Sequence, residues 1–353
     1  MICLQKMEPG VSLLALVVET SLKVGATAGR LAKVRELATC LRALAPDEID
    51  IGVQYLAGET RQGRFGLRYA ALSSASTGAA APEPTLSLVE VDRRFAELAT
   101  IRGTGVTTRR SAALNSLFAL ATESERQFLI RLLVGELRQG ALGGVMIDAI
   151  AAAAELPAAD VRRAAMYAKS LGEVARAALL EGAAALARFQ LEMLSPVAPM
   201  LAQTAADPAA ALTQLGGEVE FEWKMDGARI QVHKAGDTVR IYTRALNEVT
   251  NAVPEIVETI QKLAAREVVL DGEAIAFNTS GRPQPFQVTM RRFGRKLNVE
   301  DARRIADPRL LLRLPATRCA ESRGPPGART LRGTRAGRAR FNEGAAAHHL
   351  FHE

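Results

Sequence analysis

The chain has 353 residues, 48% hydrophobic and 24% charged, with a formal net charge of +7 and a pI near 9.6. That apolar fraction excludes a disordered chain, and the length allows two domains, each with its own core. Cys3, Cys40 and Cys319 are scattered with no Cys-x-x-Cys pair, which excludes a zinc ribbon and points to a reducing compartment; the basic balance suits a polyanionic partner. Val11 to Val18 is apolar but short and is soon followed by Glu19 and Lys23, so it reads as a buried helix and not as a signal or membrane span. Residues 11 to about 192 read as helices joined by short turns; Leu31, Val34, Leu37, Ala38 and Leu41 keep a helical spacing. An internal duplication runs through this half. Gly58-Glu59-Thr60-Arg61-Gln62-Gly63 recurs 77 residues later as Gly135-Glu136-Leu137-Arg138-Gln139-Gly140, and the match extends outward to Leu37 with Leu114 and Glu48 with Glu125.

Each copy, about 30–75 and 107–152, is expected to be a helix pair ending in that glycine turn. The glycines permit close approach of backbone to a phosphate, with Arg61 or Arg138 beside it. The same turns read equally well as helix C-caps whose arginines bond to carbonyls. Ser73 to Pro84, rich in Ser, Ala, Gly and Pro, reads as a loop, and the alanine-rich run from Ala149 to Ala187 as helix.

The pattern then changes to a period of two. Val219, Phe221 and Trp223 alternate with Glu220, Glu222 and Lys224. Asp226-Gly227 is a turn signal; Ile230 and Val232 follow, opposite Arg229, Gln231 and His233, and a third run from Val239 brings out Arg244 at its end. An antiparallel sheet with its charged groups on one side is expected. Within it, Lys224-Met225-Asp226-Gly227-Ala228-Arg229 is a Lys-x-Asp-Gly-x-Arg motif. A lysine with a pKa of roughly 10.4 is a poor nucleophile until charge or desolvation releases its neutral amine. A fixed lysine among carboxylates and arginines is what capture of a nucleotide phosphoryl group requires. Glu273 lies amid Val268, Val269, Leu270, Ile275 and Phe277, and an acidic residue in so apolar a strand needs a partner or a site.

These blocks resemble the ATP-dependent DNA ligases, within the covalent nucleotidyltransferase superfamily. The resemblance rests on the Lys224–Arg229 motif, Tyr242-Thr243-Arg244-Ala245-Leu246-Asn247, Leu270-Asp271-Gly272-Glu273-Ala274-Ile275-Ala276-Phe277, Pro285-Phe286-Gln287-Val288, Arg291-Arg292-Phe293-Gly294-Arg295 and the lead-in Pro196-Val197-Ala198-Pro199-Met200-Leu201-Ala202. It covers about residues 11 to 312. It implies a multi-domain α and α+β chain: an all-α DNA-binding domain over 1–195, then a partial nucleotidyltransferase (ATP-grasp-like DNA ligase) domain of antiparallel sheets and helices over 196–312, with the family's OB-fold domain absent. It implies ATP and magnesium as cofactors, nicked duplex DNA as partner, and a cytoplasmic, nucleoid-associated monomer with no membrane contact. Lys224 would form a lysyl-AMP, the AMP would pass to the 5′-phosphate at a nick, and the 3′-hydroxyl would displace it. Arg229 and Arg244 would hold nucleotide or nick phosphate, Glu222 would lie against adenine, and Glu273 would contact the nucleotide and hold metal. Arg61 and Arg138 would contact DNA through a sequence-independent, salt-dependent grip.

After Leu312 the resemblance stops. Arg318, Arg323, Arg329, Arg332, Arg335, Arg338 and Arg340 follow among Gly, Pro and Ala with no period, and Lys296 is the last lysine. Residues 313–353 are expected to be an aberrant, frameshift-like tail, or a basic disordered one that binds nucleic acid. His348, His349 and His352 are not expected to make a metal site. Without the lysine blocks and OB-fold that the family places here, the chain alone is expected to seal nicks poorly or not at all. The alternatives are a non-catalytic nicked-duplex-binding remnant, or an RNA ligase or capping-type nucleotidyltransferase.

Overall fold

The computed structural model describes residues 11–137, 143–199, 204–216, 219, 226–278, 280–293, 309–313 and 319–320. They fall into two units divided after Gln190, a few residues before the expected boundary.

The first unit is helical. α1 (Leu14–Ala26), α2 (Arg30–Ala43) and α3 (Ile49–Ala57) are followed by α4 (Tyr69–Ala75), α5 (Leu88–Thr100), α6 (Val106–Ala119) and α7 (Glu123–Val134). The expected N-terminal helix forms as α1, with Leu14, Val17, Val18 and Val24 buried. On α2, Val34, Leu37, Ala38 and Leu41 enter the core, but Leu31 in its first turn stays 73% exposed. Ser73 to Ala75 belong to α4, so the loop begins later than its composition suggests. Its backbone is tied down by buried Arg126, which donates to the carbonyls of Gly78 (2.6 Å), Ser76 (3.1 Å) and Ala79, and to Phe118 O of α6 at 2.7 Å.

The duplication is visible in backbone geometry. α3 and α7 both end on a left-handed glycine, Gly58 at φ 80° and Gly135 at φ 79°. Gly58 N–H donates to Tyr55 O (3.1 Å) and Glu59 N–H to Gln54 O (2.8 Å); at the equivalent positions Gly135 donates to Leu132 O (3.1 Å) and Glu136 to Arg131 O (2.9 Å). Both turns are therefore Schellman caps. At the other end of α7, Thr122 and Glu125 form a capping box, Thr122 N–H donating to Glu125 Oε2 at 2.8 Å. The first copy has Ala45 where the second has Thr122, and it borrows the missing hydroxyl: Ala45 N–H donates to Ser12 Oγ (2.9 Å) and Ser12 N–H to Glu48 Oε2 (2.6 Å).

The alanine-rich stretch is not one helix. It breaks into α8 (Gly144–Ala154), α9 (Ala158–Tyr167), α10 (Leu171–Arg176), a π turn over Ala177–Glu181 and α11 (Ala183–Leu186). The breaks fall at left-handed Glu155, at Pro157, at the N-cap Ser170 and at left-handed Gly182.

The second unit carries α12 (Pro208–Leu215), β1 (Ala228–Ala235), β2 (Thr238–Thr243), α13 (Pro254–Gln261), β3 (Glu267–Phe277), α14 (Phe286–Phe293), β4 (Arg309–Arg313) and β5 (Cys319–Ala320). The strands make one antiparallel sheet in the order β2-β1-β3-β4, with β5 also on β3. Cys319 and Ala320 pair with Leu270 and Val269 although the sequence there has no strand period; backbone groups of an open strand accept a partner whatever its side chains. The rest of 314–353 lies outside the described residues. Alternation sorts the sheet into two faces. Ile230, Val232, Val239, Ile241, Leu270, Ala274 and Ala276 pack with Ile256 and Ile260 of α13 as the core.

Candidate functional site

The opposite sheet face gathers the polar residues. From β1 it receives Arg229, Gln231 and His233. Register places Glu273 of β3 opposite Arg229, and Asp271 and Tyr242 on either side of Gln231. The Arg229 guanidinium is held bidentately by Asp271, Nε to Oδ1 at 3.0 Å and Nη2 to Oδ2 at 2.7 Å. Asp271, with the nearby Glu273 charge, raises the Arg229 pKa against the opposing effect of burial. Asp271 was legible only as part of a motif; its place two residues before Glu273 on an alternating strand is the signal that could have assigned it this partner.

Gly227 is glycine for lack of room. A Cβ there would meet Ala274 O at 2.7 Å, Glu273 Cγ at 2.7 Å and Ile275 Cγ1 at 2.8 Å. Its φ is not left-handed, and the motif backbone packs closely on β3 there; residues 220–225, on the other side of the expected turn, lie outside the described residues. Asp226 is exposed beside it.

Arg244 stands exposed at the first position after β2, in a turn closed by Leu246 N–H donating to Thr243 O at 2.8 Å. Leu246 takes φ 62° there, a conformation that disfavours a branched side chain. Thr243 keeps a buried hydroxyl without a hydrogen-bond partner among the described residues. Arg229, Asp271, Thr243, Arg244 and Leu246 line one cleft, whose further wall is Val197 and Pro199 of the lead-in. Gln231 pins that wall: its amide accepts from Val197 N–H (2.7 Å) and donates to Val197 O (3.3 Å), while Tyr242 OH donates to Leu194 O. His233, fully buried, has Nε2 2.8 Å from Gln231 Oε1, and its ring meets Tyr242 edge-on at 5.5 Å. Burial lowers its pKa to about 4. Sequence reading placed Gln231 and His233 on this face without a role.

Of the expected site residues, the structure thus brings Arg229, Arg244 and Glu273 to one end of one sheet face. Lys224, Glu222 and Arg138 lie outside the described residues. Arg61 is half-exposed, but its guanidinium faces carboxylates: Asp92 at 3.3 Å and Asp50 at 3.7 Å, with Gln62 Nε2 donating to Asp92 Oδ1 at 3.0 Å. Among the described residues no group of three or more His, Cys, Asp or Glu side chains could hold a metal by itself.

Two family models match the chain. The family model described as "DNA ligase N terminus" matches residues 13–151, and that described as "ATP dependent DNA ligase domain" matches 199–312. A "Probable DNA ligase" of Anaeromyxobacter sp. (strain Fw109-5) is 55% identical over 291 residues, covering 82% of this chain and 56% of that protein. One of Sorangium cellulosum (strain So ce56) is 52% identical over 279 residues, 79% of this chain and 52% of that one. One of Mycolicibacterium paratuberculosis (strain ATCC BAA-968 / K-10) is 51% identical over 288 residues, 81% and 55%. The chain spans about half the length of the curated relatives it matches.

Proposed function

Since the chain belongs to the ATP-dependent DNA ligase family, we propose that it serves the sealing of nicks in duplex DNA by capturing the adenylyl group of ATP on Lys224. In this reading the neutral Lys224 amine attacks the α-phosphorus, a P–N bond forms and pyrophosphate departs; the AMP then passes to the 5′-phosphate at the nick, and the 3′-hydroxyl displaces it. The observation that carries the proposal is the meeting of Arg229, Arg244 and Glu273 at one end of the polar sheet face, beside the start of the strand that continues the Lys224 motif.

Each residue then has a physical task. Arg244, exposed on its turn, offers a guanidinium fork to phosphate oxygens. Arg229 is oriented by Asp271, so its remaining donors point in a fixed direction before ligand arrives. Glu222 lies against adenine. Glu273 would hold magnesium on this face, an ion that binds through one or two carboxylates together with water and substrate phosphates. Magnesium supplies charge neutralisation on the phosphoryl oxygens. The helical unit grips the duplex with Arg138 as its turn arginine, while the equivalent Arg61 is engaged by Asp92 and Asp50. In this reading the enzyme acts as a cytoplasmic monomer on nucleoid DNA. No described helix is long and apolar enough to cross a membrane.

The test begins with binding. Calorimetric titration of the full chain with ATP and with GTP, in magnesium, should show ATP preferred, and Arg229→Ala and Arg244→Ala should each weaken it about tenfold, the worth of one charged hydrogen bond. A preference for GTP would select the capping-type reading. No nucleotide binding together with retained binding to a nicked duplex would select the non-catalytic one. Label from α-labelled ATP found on Lys224 would identify the nucleophile directly.

A further inference from the structure

The polar sheet face contains a small network that the proposed chemistry does not use. Its centre is Gln231, whose amide orientation is determined by its neighbours. The Val197 N–H and the His233 ring both approach Oε1, at 2.7 and 2.8 Å, and Val197 O lies 3.3 Å from Nε2. Flipping the amide would set its NH2 against a backbone N–H and its oxygen against a carbonyl. Oε1 can only accept, so neutral His233 carries its proton on Nε2 and donates it to Gln231; Nδ1 has no partner among the described residues. A buried ring in this state has one orientation available, and it holds the glutamine in turn.

The object of this arrangement is a short stretch of irregular backbone. Leu194 has φ 64°, which disfavours a leucine, and Tyr242 OH bonds to its carbonyl. Three residues on, Gln231 pairs with both backbone groups of Val197, as a neighbouring strand would. Val197 and Pro199 then form the cleft wall facing Arg229 and Arg244. Irregular backbone fixed by side chains from a rigid sheet is the usual means of giving a loop a defined shape.

We propose that Gln231 is a positioning residue for nucleotide binding: held by His233, it fixes Val197 so that the Val197–Pro199 segment stands as a preformed wall of the cleft. Gln231 acts through that segment and not on the phosphates. The inference rests on the proposed nucleotide reading of the cleft, and its test separates the two.

Gln231→Met keeps the side chain's length and removes its hydrogen bonds. Gln231→Glu keeps an acceptor for Val197 N–H and for the His233 proton. In the full chain, amide hydrogen exchange over 194–199 should speed up at least tenfold in Gln231→Met and stay within threefold of the parent in Gln231→Glu. ATP affinity by calorimetry should fall about tenfold in Gln231→Met and recover in Gln231→Glu, with the urea midpoint of the sheet unit similar in the two variants. Equal ATP affinity in the parent and Gln231→Met, with the exchange accelerated, would overturn the positioning role. Unchanged exchange would overturn the clamp itself. If the parent chain binds no ATP, the nucleotide reading fails, and exchange alone then decides whether Gln231 shapes the segment.

Discussion

Gly227 shows how a single residue constrains the site. Its missing Cβ is the space into which β3 packs, so Gly227→Ala forces backbone and Glu273 apart. Overpacking of that kind costs about 1–3 kcal/mol, and we expect a loss near the upper end, read as a lower urea midpoint for the sheet unit. Its effect should exceed that of changing exposed Asp226 to Asn. His233 gives a pH signature. Its folded-state pKa, about 4, lies below the ordinary value of 6.5, so the unfolded chain binds the proton more readily. The stability linked to this ring is therefore fully present above pH 6.5 and drains away as pH falls toward 4. Urea unfolding followed between pH 7 and 4 should show that decline, and His233→Gln should flatten it; an unchanged slope in the variant would show the proton to bind elsewhere.

At the scale of elements, the two copies of the helical repeat solve one capping problem twice. Gly58 and Gly135 share conformation and hydrogen bonds, so Gly58→Ala and Gly135→Ala should each cost about 1–2 kcal/mol, the penalty for a side chain in the left-handed region. The N-terminal ends differ. Thr122→Ala should cost about 1 kcal/mol through loss of a local cap, whereas Ser12→Ala removes a hydroxyl that ties Ala45 to a distant segment and leaves the Ser12 backbone N–H on Glu48. Thermal unfolding of the two variants measures the difference. A C-cap at both turns is one of the two readings the recurring Gly-Glu-x-Arg-Gln-Gly block allows, beside a phosphate contact. The role of Ser12 was not legible, because a hydroxyl 33 residues away in sequence leaves no local pattern. The breaks in the alanine-rich run were overlooked for the opposite reason. Alanine's high helix propensity masks the boundaries that Pro157, Ser170 and Gly182 impose.

For the whole molecule, the net charge of +7 predicts salt-dependent binding to duplex DNA. Fluorescence anisotropy with a nicked duplex, titrated across salt concentrations, should give a steep negative slope of log affinity against log salt. The turn arginines should contribute unequally. Arg61 faces Asp92 and Asp50, so Arg61→Ala should leave the slope nearly unchanged. The second copy has Gln127 where the first has Asp50, so one of those carboxylates is missing, and Arg138→Ala should reduce the slope by about 1 if that arginine meets a phosphate. Equal losses from the two variants would contradict this asymmetry. The family matches end at 151 and at 312, the second being the point at which the resemblance read from the sequence stops.

From the sequence by itself came the helical half, its duplication, the sheet's polar and apolar sides, and the family. All of these depend on periodicity or ordered motifs, which are local properties of the chain. Only the tertiary structure decided that Asp271 holds Arg229, that Arg61 faces two carboxylates, and that Gln231 ties Val197 to the sheet. Each of these joins residues on different elements or loops, most of them more than thirty positions apart. A side chain's partner is set by strand register and helix packing, and no spacing along the chain encodes the geometry that brings two such groups within hydrogen-bond reach.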